Sequence, residues 1–394
     1  MDLEKPNILF VDDEEQILWA YRKNFARKYN IITASSGEEA LEIVSKNDIA
    51  VIITDYNMGG IDGVELLSRL RDISPDTVRM LITGYADLKT AMKAVNEGYI
   101  FRFLTKPADL ELLLHAIEAA LQLFRLIRSE KELNMKLMQA YRQIDDDLKA
   151  AAKLQQSFLP AKKEWMEHFS YDWIYFPSIY LSGDTFNFFR LNKETMAFYI
   201  IDVSGHGISS SIMSINLSRL LNNTNRKDNP LIKKQNGKYE PVSPPEVLTD
   251  LNQRYLTESS VQYFTMVYGI INENTGEVRY SCAGHPAPLF EYEGQISGRE
   301  ISSFPIGIFK AVEYEEYKAK LKKGGRVFIY SDGVTECENP EMVRFSEAGL
   351  RSVISGTDRI SIGRILEKLV SSLNHWRGNE KFEDDITVLV FEYN

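Results

Sequence analysis

Residues 7–14 read NILFVDDE, an apolar run that ends in two adjacent aspartates. Four or five uninterrupted apolar residues suit a strand buried on both faces, as in a parallel sheet covered by helices. The same form recurs outward from it at Asn30–Ala34, Ala50–Thr54, Val78–Ile82 and Phe101–Leu104, with amphipathic stretches such as Glu14–Ala26 in between. Five alternating βα units predict an α/β domain over residues 1–122, a doubly wound five-stranded parallel sheet. Ligands of such sheets gather at the carboxyl ends of the strands.

Polar residues stand at those ends. Asp12 and Asp13 follow the first strand, Asp55 the third, Thr83 the fourth and Lys106 the fifth. Three crowded carboxylates raise one another's pKa unless a cation neutralises them. Mg²⁺ suits the set, since it takes a few carboxylates and keeps its waters. Asp55 is then placed to attack a phosphoryl group, with Lys106 pairing the transferred phosphate and Thr83 hydrogen-bonding it.

This constellation resembles the receiver domain of two-component response regulators. The resemblance rests on LFVDDE (9–14), TDYNMGGIDG (54–63), LITGYA (81–86) and FRFLTKP (101–107), in that order. It implies Asp55 as phosphoacceptor, a sensor histidine kinase as phosphodonor, and Asp12, Asp13, Asp55 and the Asn57 carbonyl as Mg²⁺ ligands. It also implies Phe103 as an aromatic switch that packs inward once Thr83 moves. Gly59 stands where the family usually has proline, which loosens the loop after Asp55 without removing a chemical group; altered kinetics with retained function are expected.

From Ala108 to Phe158 the chain holds no Gly or Pro, and helix formers dominate. Apolar residues at spacings of three and four form two sets, Leu110 to Ile127 and Leu133 to Phe158, slipped by about one residue near Ser129–Glu132. A helical connector over 123–160 is expected, a coiled coil that makes the chain a homodimer. Pro160 would stop it.

Residues 161–394 read as a second domain of clustered strands and intervening helices, hence antiparallel sheets flanked by helices. Expected strands are Tyr171–Phe176, Glu194–Asp202, Phe264–Asn272, Val278–Cys282, Arg326–Ser331 and Ile386–Glu392, and expected helices Ser209–Asn222, Pro245–Glu258 and Ile360–Asn374. Asp184, Asp202, Asp332 and Asp384 fall in turns or at strand ends, two of them beside glycine. Oxygen donors without a cysteine set point to Mn²⁺ or Mg²⁺, and two such ions can clamp the attacking and leaving oxygens of a phosphoester.

These residues look like the PPM-type serine/threonine phosphatases (the protein phosphatase type 2C superfamily), in their bacterial sporulation and stress-response subgroup. The matching segments are AAKLQQSFLP (151–160), LSGDTFNFF (181–189), IDVSGHG (201–207), AGHPAP (283–288), PIG (305–307), IYSDGVTE (329–336) and EDDITV (383–388). The resemblance implies a PPM-type β-sandwich in which Asp184 bridges two Mn²⁺ or Mg²⁺ ions, Asp202 with the Val203 carbonyl completes one site, and Asp332 with Asp384 the other. It implies removal of phosphate from Ser or Thr of a small regulatory protein, an anti-sigma factor antagonist. Asn187 replaces the family's closing acid, an accessory position together with Asp385 and His206; His206 and His285 are each either proton-shuttling or structural. The rival expectation is a phosphorylation-controlled adaptor that binds a regulatory protein without hydrolysis. The segment Asn222–Pro244 reads as a mobile insertion near the site.

The bulk composition sets outer bounds. A net charge of −10 argues against a nucleic-acid partner. Cys282 and Cys337 form no CxxC pair and suit a reducing compartment. No apolar run approaches the ~18 residues of a membrane span. A cytoplasmic protein without a membrane or nucleic-acid partner is expected.

Overall fold

The computed structural model describes residues 5–84, 92, 95, 100–162, 168–205, 207–222, 229–235, 238–256, 262–357, 360–378 and 381–394. The chain forms two compact units, Met1–Gln143 and Ile144–Asn394.

In the first unit, β1 (Asn7–Val11), β2 (Asn30–Ala34), β3 (Val51–Asp55), β4 (Val78–Thr83) and β5 (Arg102–Thr105) form a parallel sheet in the order β2-β1-β3-β4-β5. The alternation of β1 explains its apolar run. Ile8 and Phe10 enter one core, Leu9 and Val11 the other. Helix α1 (Glu15–Phe25) and the first turns of α4 (Leu110–Gln156) cover the Phe10 face through Leu18, Tyr21, Leu113 and Ile117. Helices α2 (Gly37–Lys46) and α3 (Gly63–Ile73) cover the other face through Val44, Leu66 and Leu70. Each begins at a side-chain cap: Ser36 Oγ accepts from Glu39 N at 3.2 Å and Asp62 Oδ1 from Glu65 N at 2.8 Å, worth about 1 kcal/mol apiece. The helix expected between β4 and β5 falls mostly outside the described residues.

The connector is one helix of 47 residues, α4, ending at Gln156, four residues short of Pro160. Its apolar stripe divides. Leu113, Ile117 and Ala120 are buried in the first unit's core, whereas Leu133, Leu137, Ile144 and Leu154 are each more than half exposed.

The second unit is a sandwich of two antiparallel five-stranded sheets. One runs β15-β12-β11-β8-β7 and the other β14-β13-β16-β17-β6, with β13 at Leu289–Tyr292, β14 at Gln295–Ser297 and β15 at Tyr317–Lys320. The strands that matter most are β6 (Phe169–Phe176), β7 (Thr185–Arg190), β8 (Thr195–Val203), β11 (Phe264–Asn272), β12 (Glu277–Ala283), β16 (Arg326–Tyr330) and β17 (Ile386–Tyr393). Phe186, Phe198, Ile200, Ile329, Leu389 and Phe391 meet between the sheets. Helices α5 (Ile208–Leu221) and α6 (Pro244–Tyr255) pack on the outer face of the first sheet against Tyr199 and Ile201. The short α7 (Asp332–Glu336), α8 (Ser346–Ile354) and α9 (Ile362–Arg377) pack on that of the second, against Phe328, Val388 and Val390.

Two local readings change. Residues 185–190, not among the expected strands, form β7, because Phe186 and Phe188 have an inner face to bury. Within 222–244 the described residues include a hairpin, β9 (Ile232–Gln235) with β10 (Lys238–Pro241), closed at its base by Val242 N donating to the carbonyl of buried Leu231 at 2.9 Å. A hairpin rather than a loop therefore occupies that part of the insertion.

Candidate active sites

The receiver-type site sits at the carboxyl ends of β1, β3 and β5. Asp12 and Asp55 are buried and Asp13 is exposed, and their carboxylate oxygens lie within 4.8 Å of one another. Lys106 Nζ reaches both buried acids, at 3.1 Å from Asp12 Oδ2 and 2.9 Å from Asp55 Oδ2. Burial raises the Asp55 pKa, against hydrogen bonding and charge from Lys106. Burial likewise works against the charge of Lys106, but its bonds to Asp55 and Asp12 prevail and its pKa rises. Thr83 is fully buried at the end of β4, Phe103 is half-buried on β5, and Asn57 is exposed in the turn after Asp55. An acid trio with a tethered ammonium can hold a divalent cation and receive a phosphoryl group on Asp55.

The second site lies at one end of the sandwich, between the sheets. Strand alternation puts it there. Asp202 shares the inner face of β8 with Phe198 and Ile200, Thr387 shares that of β17 with Leu389, and Asp385 stands just ahead of β17. Asp184, just ahead of β7, is bonded across the sandwich by Thr387 Oγ1 to its Oδ2 at 2.5 Å. Asp385 fixes the turn before it: Oδ2 accepts from Ser182 Oγ at 2.6 Å and Gly183 N at 2.8 Å, and Oδ1 accepts from Ser178 N at 2.7 Å. Two glycines allow the close approaches. A Cβ on Gly183 would stand 2.8 Å from the Val203 carbonyl, and one on Gly333 would stand 2.2 Å from that of Asp385. Gly183 thus lets the Asp184 turn lie on the Asp202 segment, and Gly333 lets the start of α7 lie on the Asp384–Asp385 segment.

The acids load one another electrostatically. Burial, then the charges of Asp202 and Asp385, push Asp184 well above the carboxylate range. Burial followed by Asp332 and Asp384 takes Asp202 to about 8, and burial followed by Asp384 and Glu336 takes Asp332 to about 6. Asp202, the Val203 segment and Asp384 line a cleft of about 380 Å³, with Arg344 and Arg377 on its wall. Hollows of about 620 and 730 Å³ lie elsewhere, beside β13–β15 and between β6 and α9, but they hold no comparable acid group. Among the described residues only the receiver trio brings three such donors within 4.8 Å. The sandwich acids form no such trio among the described residues; their all-oxygen donor set suits hard divalent ions.

Asn187 lies on the helix-covered face of β7 with Thr185, whose hydroxyl meets Ser218 of α5 at 2.7 Å; its own Oδ1 accepts from Phe188 N at 2.8 Å. His206 lies outside the described residues. His285 is buried beside Thr265, its Nδ1 2.7 Å from Thr265 Oγ1, and burial pulls its pKa down to about 3 despite a backbone hydrogen bond with Tyr330. It stays neutral near pH 7, which suits the structural role. Sequence reasoning singled out the segment 151–160 but not Gln155 within it, whose side chain bonds Ser182 beside the Asp184 turn; nothing local distinguishes this buried glutamine from the exposed Gln156 beside it.

The family model described as "Stage II sporulation protein E (SpoIIE)" matches residues 192–394, more than half of the chain. The chain belongs to the SpoIIE family. Ahead of this SpoIIE domain, the model "Response regulator receiver domain" matches residues 8–118. Phosphoserine phosphatase RsbP of Bacillus subtilis (strain 168) is 26% identical over 253 residues, covering 62% of this chain and 57% of that protein. Phosphoserine phosphatase RsbU of the same organism is 27% identical over 218 residues, covering 52% and 60%. The chain therefore spans less than two thirds of either relative. The SiaA-PP2C domain of Pseudomonas aeruginosa superposes with a TM-score of 0.55 at 17% identity, covering 65% of this chain and 99% of that one, and shares its fold. This SpoIIE-family chain is thus a receiver domain joined to a PPM-type phosphatase domain.

Proposed function

We propose that this chain is a response regulator whose output is dephosphorylation of phosphoserine or phosphothreonine on a partner protein, an anti-sigma factor antagonist being the partner class. A sensor histidine kinase is the phosphodonor for Asp55, with Mg²⁺ held by Asp12, Asp13, Asp55 and the Asn57 carbonyl, and Thr83, Phe103 and Lys106 carry the switch. In the phosphatase domain, Asp184, Asp202, the Val203 carbonyl, Asp332 and Asp384 would hold two Mn²⁺ or Mg²⁺ ions. Such ions supply an activated water and neutralise charge on the phosphoester.

The observation that carries this reading is the inter-sheet acid group, with Asp184 locked by Thr387 and its neighbours raised in pKa by burial and then by one another's charge. Burial and the crowding of Asp184, Asp202, Asp332, Asp384 and Asp385 load this group with negative charge, for which a divalent ion is the fitting counter-charge. On the cleft wall Arg377 is tied to Glu383 and the carbonyls of Lys381 and Glu338. Arg344 is more exposed and pairs with Glu336 and Glu338, from which it can turn toward a phosphate.

The organisation that goes with this reading is a receiver over 1–122, a connector over 123–160 and a phosphatase over 161–394. The exposed Leu133, Leu137 and Ile144 stripe favours a homodimer through the connector. No helix among the described residues is long and apolar enough to cross a membrane, which goes with the proposed cytoplasmic location. Hydrolysis of p-nitrophenyl phosphate by the whole chain in Mn²⁺ tests the enzyme reading. Turnover should need the metal and fall about 10³-fold or more in Asp332→Ala, since the ions carry several kcal/mol of charge stabilisation. No turnover by a folded chain in Mn²⁺ or Mg²⁺ would favour the adaptor.

A further inference from the structure

Of residues 122–162, Gln155 alone is buried. A glutamine in the next-to-last position of a 47-residue helix is an unexpected place for burial, since its amide loses water unless every polar atom finds a partner. Here it does. Nε2 donates to the Ser182 carbonyl at 2.7 Å and to Ser214 Oγ at 3.0 Å, and Oε1 accepts from Ser182 N at 3.1 Å. The amide thus closes a two-way bond with the backbone of a single residue, as a neighbouring strand would.

Ser182 is itself a junction. Its hydroxyl donates to Asp385 Oδ2 and accepts from Asp184 N at 3.0 Å. Ser214 stands on α5, whose first turn follows the Asp202–Gly205 segment, and its Oγ also lies 3.3 Å from the Ser182 carbonyl. Gly183 presses on the carbonyls of Val203 and Gly205. Gln155 therefore grips the point where the Asp184 turn and the helix following Asp202 come together. Asp385 and Thr387 hold that turn from the sheet, and Gln155 holds it from the helix.

We infer that Gln155 is a positioning residue: the last turn of α4 sets the placement of Asp184 through the Gln155–Ser182 bond pair. The inference rests on the phosphatase reading above and deepens it by naming where regulation enters. A hydrogen bond of 2.7 Å is lost beyond about 3.5 Å. A displacement or rotation of the last turn by about 1 Å is then felt at Ser182 and at the residue two further on. The same helix carries Leu113 and Ile117 in the receiver core at its other end.

The test uses the whole chain and Gln155→Met, which keeps length and volume and removes all three bonds. Amide exchange of residues 181–186, read by mass spectrometry, should rise about tenfold in the variant. The Mn²⁺ concentration for half-maximal p-nitrophenyl phosphate turnover should rise about tenfold, with kcat at saturating Mn²⁺ changed far less. Acetyl phosphate should alter exchange at 181–186 in the parent and not in the variant. Unchanged exchange and Mn²⁺ requirement in a folded Gln155→Met, or an equal acetyl phosphate response in both, would overturn the inference. If Gln155→Met does not fold, Ser214→Ala, which removes one acceptor of the same amide, should raise exchange at 181–186 about threefold; no rise overturns it equally. Amide exchange needs no catalysis, so a chain without turnover would defeat the phosphatase reading while this measurement still decides the clamp.

Discussion

The two acid groups of this chain solve the same electrostatic problem in opposite ways. In the receiver, Lys106 bridges Asp12 and Asp55 and supplies part of the counter-charge from within. In the phosphatase domain the acids are held by neutral donors: Thr387 and Ser182 hydroxyls and the Gly183 amide. Burial and then the neighbouring acids take Asp202 and Asp332 up to about 8 and about 6. A site with its own cation can cycle between phosphorylated and free forms. In the proposed reading the sandwich site instead holds ions that stay while phosphoester comes and goes.

The comparison breaks most visibly if the neutral scaffold is dispensable. Asp385 is a second-layer group in this account, holding Ser178, Ser182 and Gly183 in place. Asp385→Asn should lower Mn²⁺-dependent turnover about 10–100-fold, as loss of outer-layer support does at metal sites, mainly through the Mn²⁺ requirement. A metal titration of activity checks it, and full activity at ordinary Mn²⁺ would mean the turn holds itself.

A smaller effect separates the two sites by pH. An aspartate has a pKa of about 3.9 in the unfolded chain, whereas folded Asp202 and Asp332 titrate at about 8 and about 6. Between those values the folded state carries more protons, so stability in chelator falls as pH rises from about 4 to about 8. The thermal midpoint of the phosphatase transition, followed by calorimetry, should drop by a few degrees between about pH 5.5 and 8.5. Mn²⁺ should restore more of it at the higher pH. A midpoint in chelator that climbs over that range would contradict the assigned repulsion.

The smallest effect concerns the receiver loop. A Cβ on Gly59 would meet nothing within 4 Å, so Gly59→Ala should stabilise the receiver by about 0.4–1 kcal/mol through the unfolded chain. Chemical denaturation measures it; destabilisation would show that the loop needs glycine for more than flexibility.

Much of the architecture is legible in the sequence because it rests on period and punctuation. The uninterrupted runs ending at Val11 and Thr54 could only be strands covered on both sides, and a stretch of about fifty residues without Gly or Pro could hardly be other than helix. Residues 185–190 hid their strand behind a Ser-Gly-Asp turn, and the edge strand β15 (Tyr317–Lys320), with two lysines in four residues, gives no apolar run. In the sites, aspartates beside glycine are visible as residue types, but their holders are not. Thr387, Ser182 and Gln155 matter through partners 203, 203 and 27 residues away in sequence, and no local pattern encodes a bond of that reach. Asn187 shows the converse. As a residue type it suggests a weakened metal site, while its place on the outer face of β7 gives it a different neighbourhood.

The central claim is that phosphorylation of Asp55 controls a metal-dependent phosphatase. Its most direct test is phosphate release from a phosphoserine protein by the whole chain in Mn²⁺, with and without acetyl phosphate, beside Asp55→Ala. The account predicts Mn²⁺-dependent release whose rate changes with acetyl phosphate in the parent and not in Asp55→Ala. Release that responds equally in both would contradict control through Asp55, and no release by a folded chain would contradict the phosphatase itself.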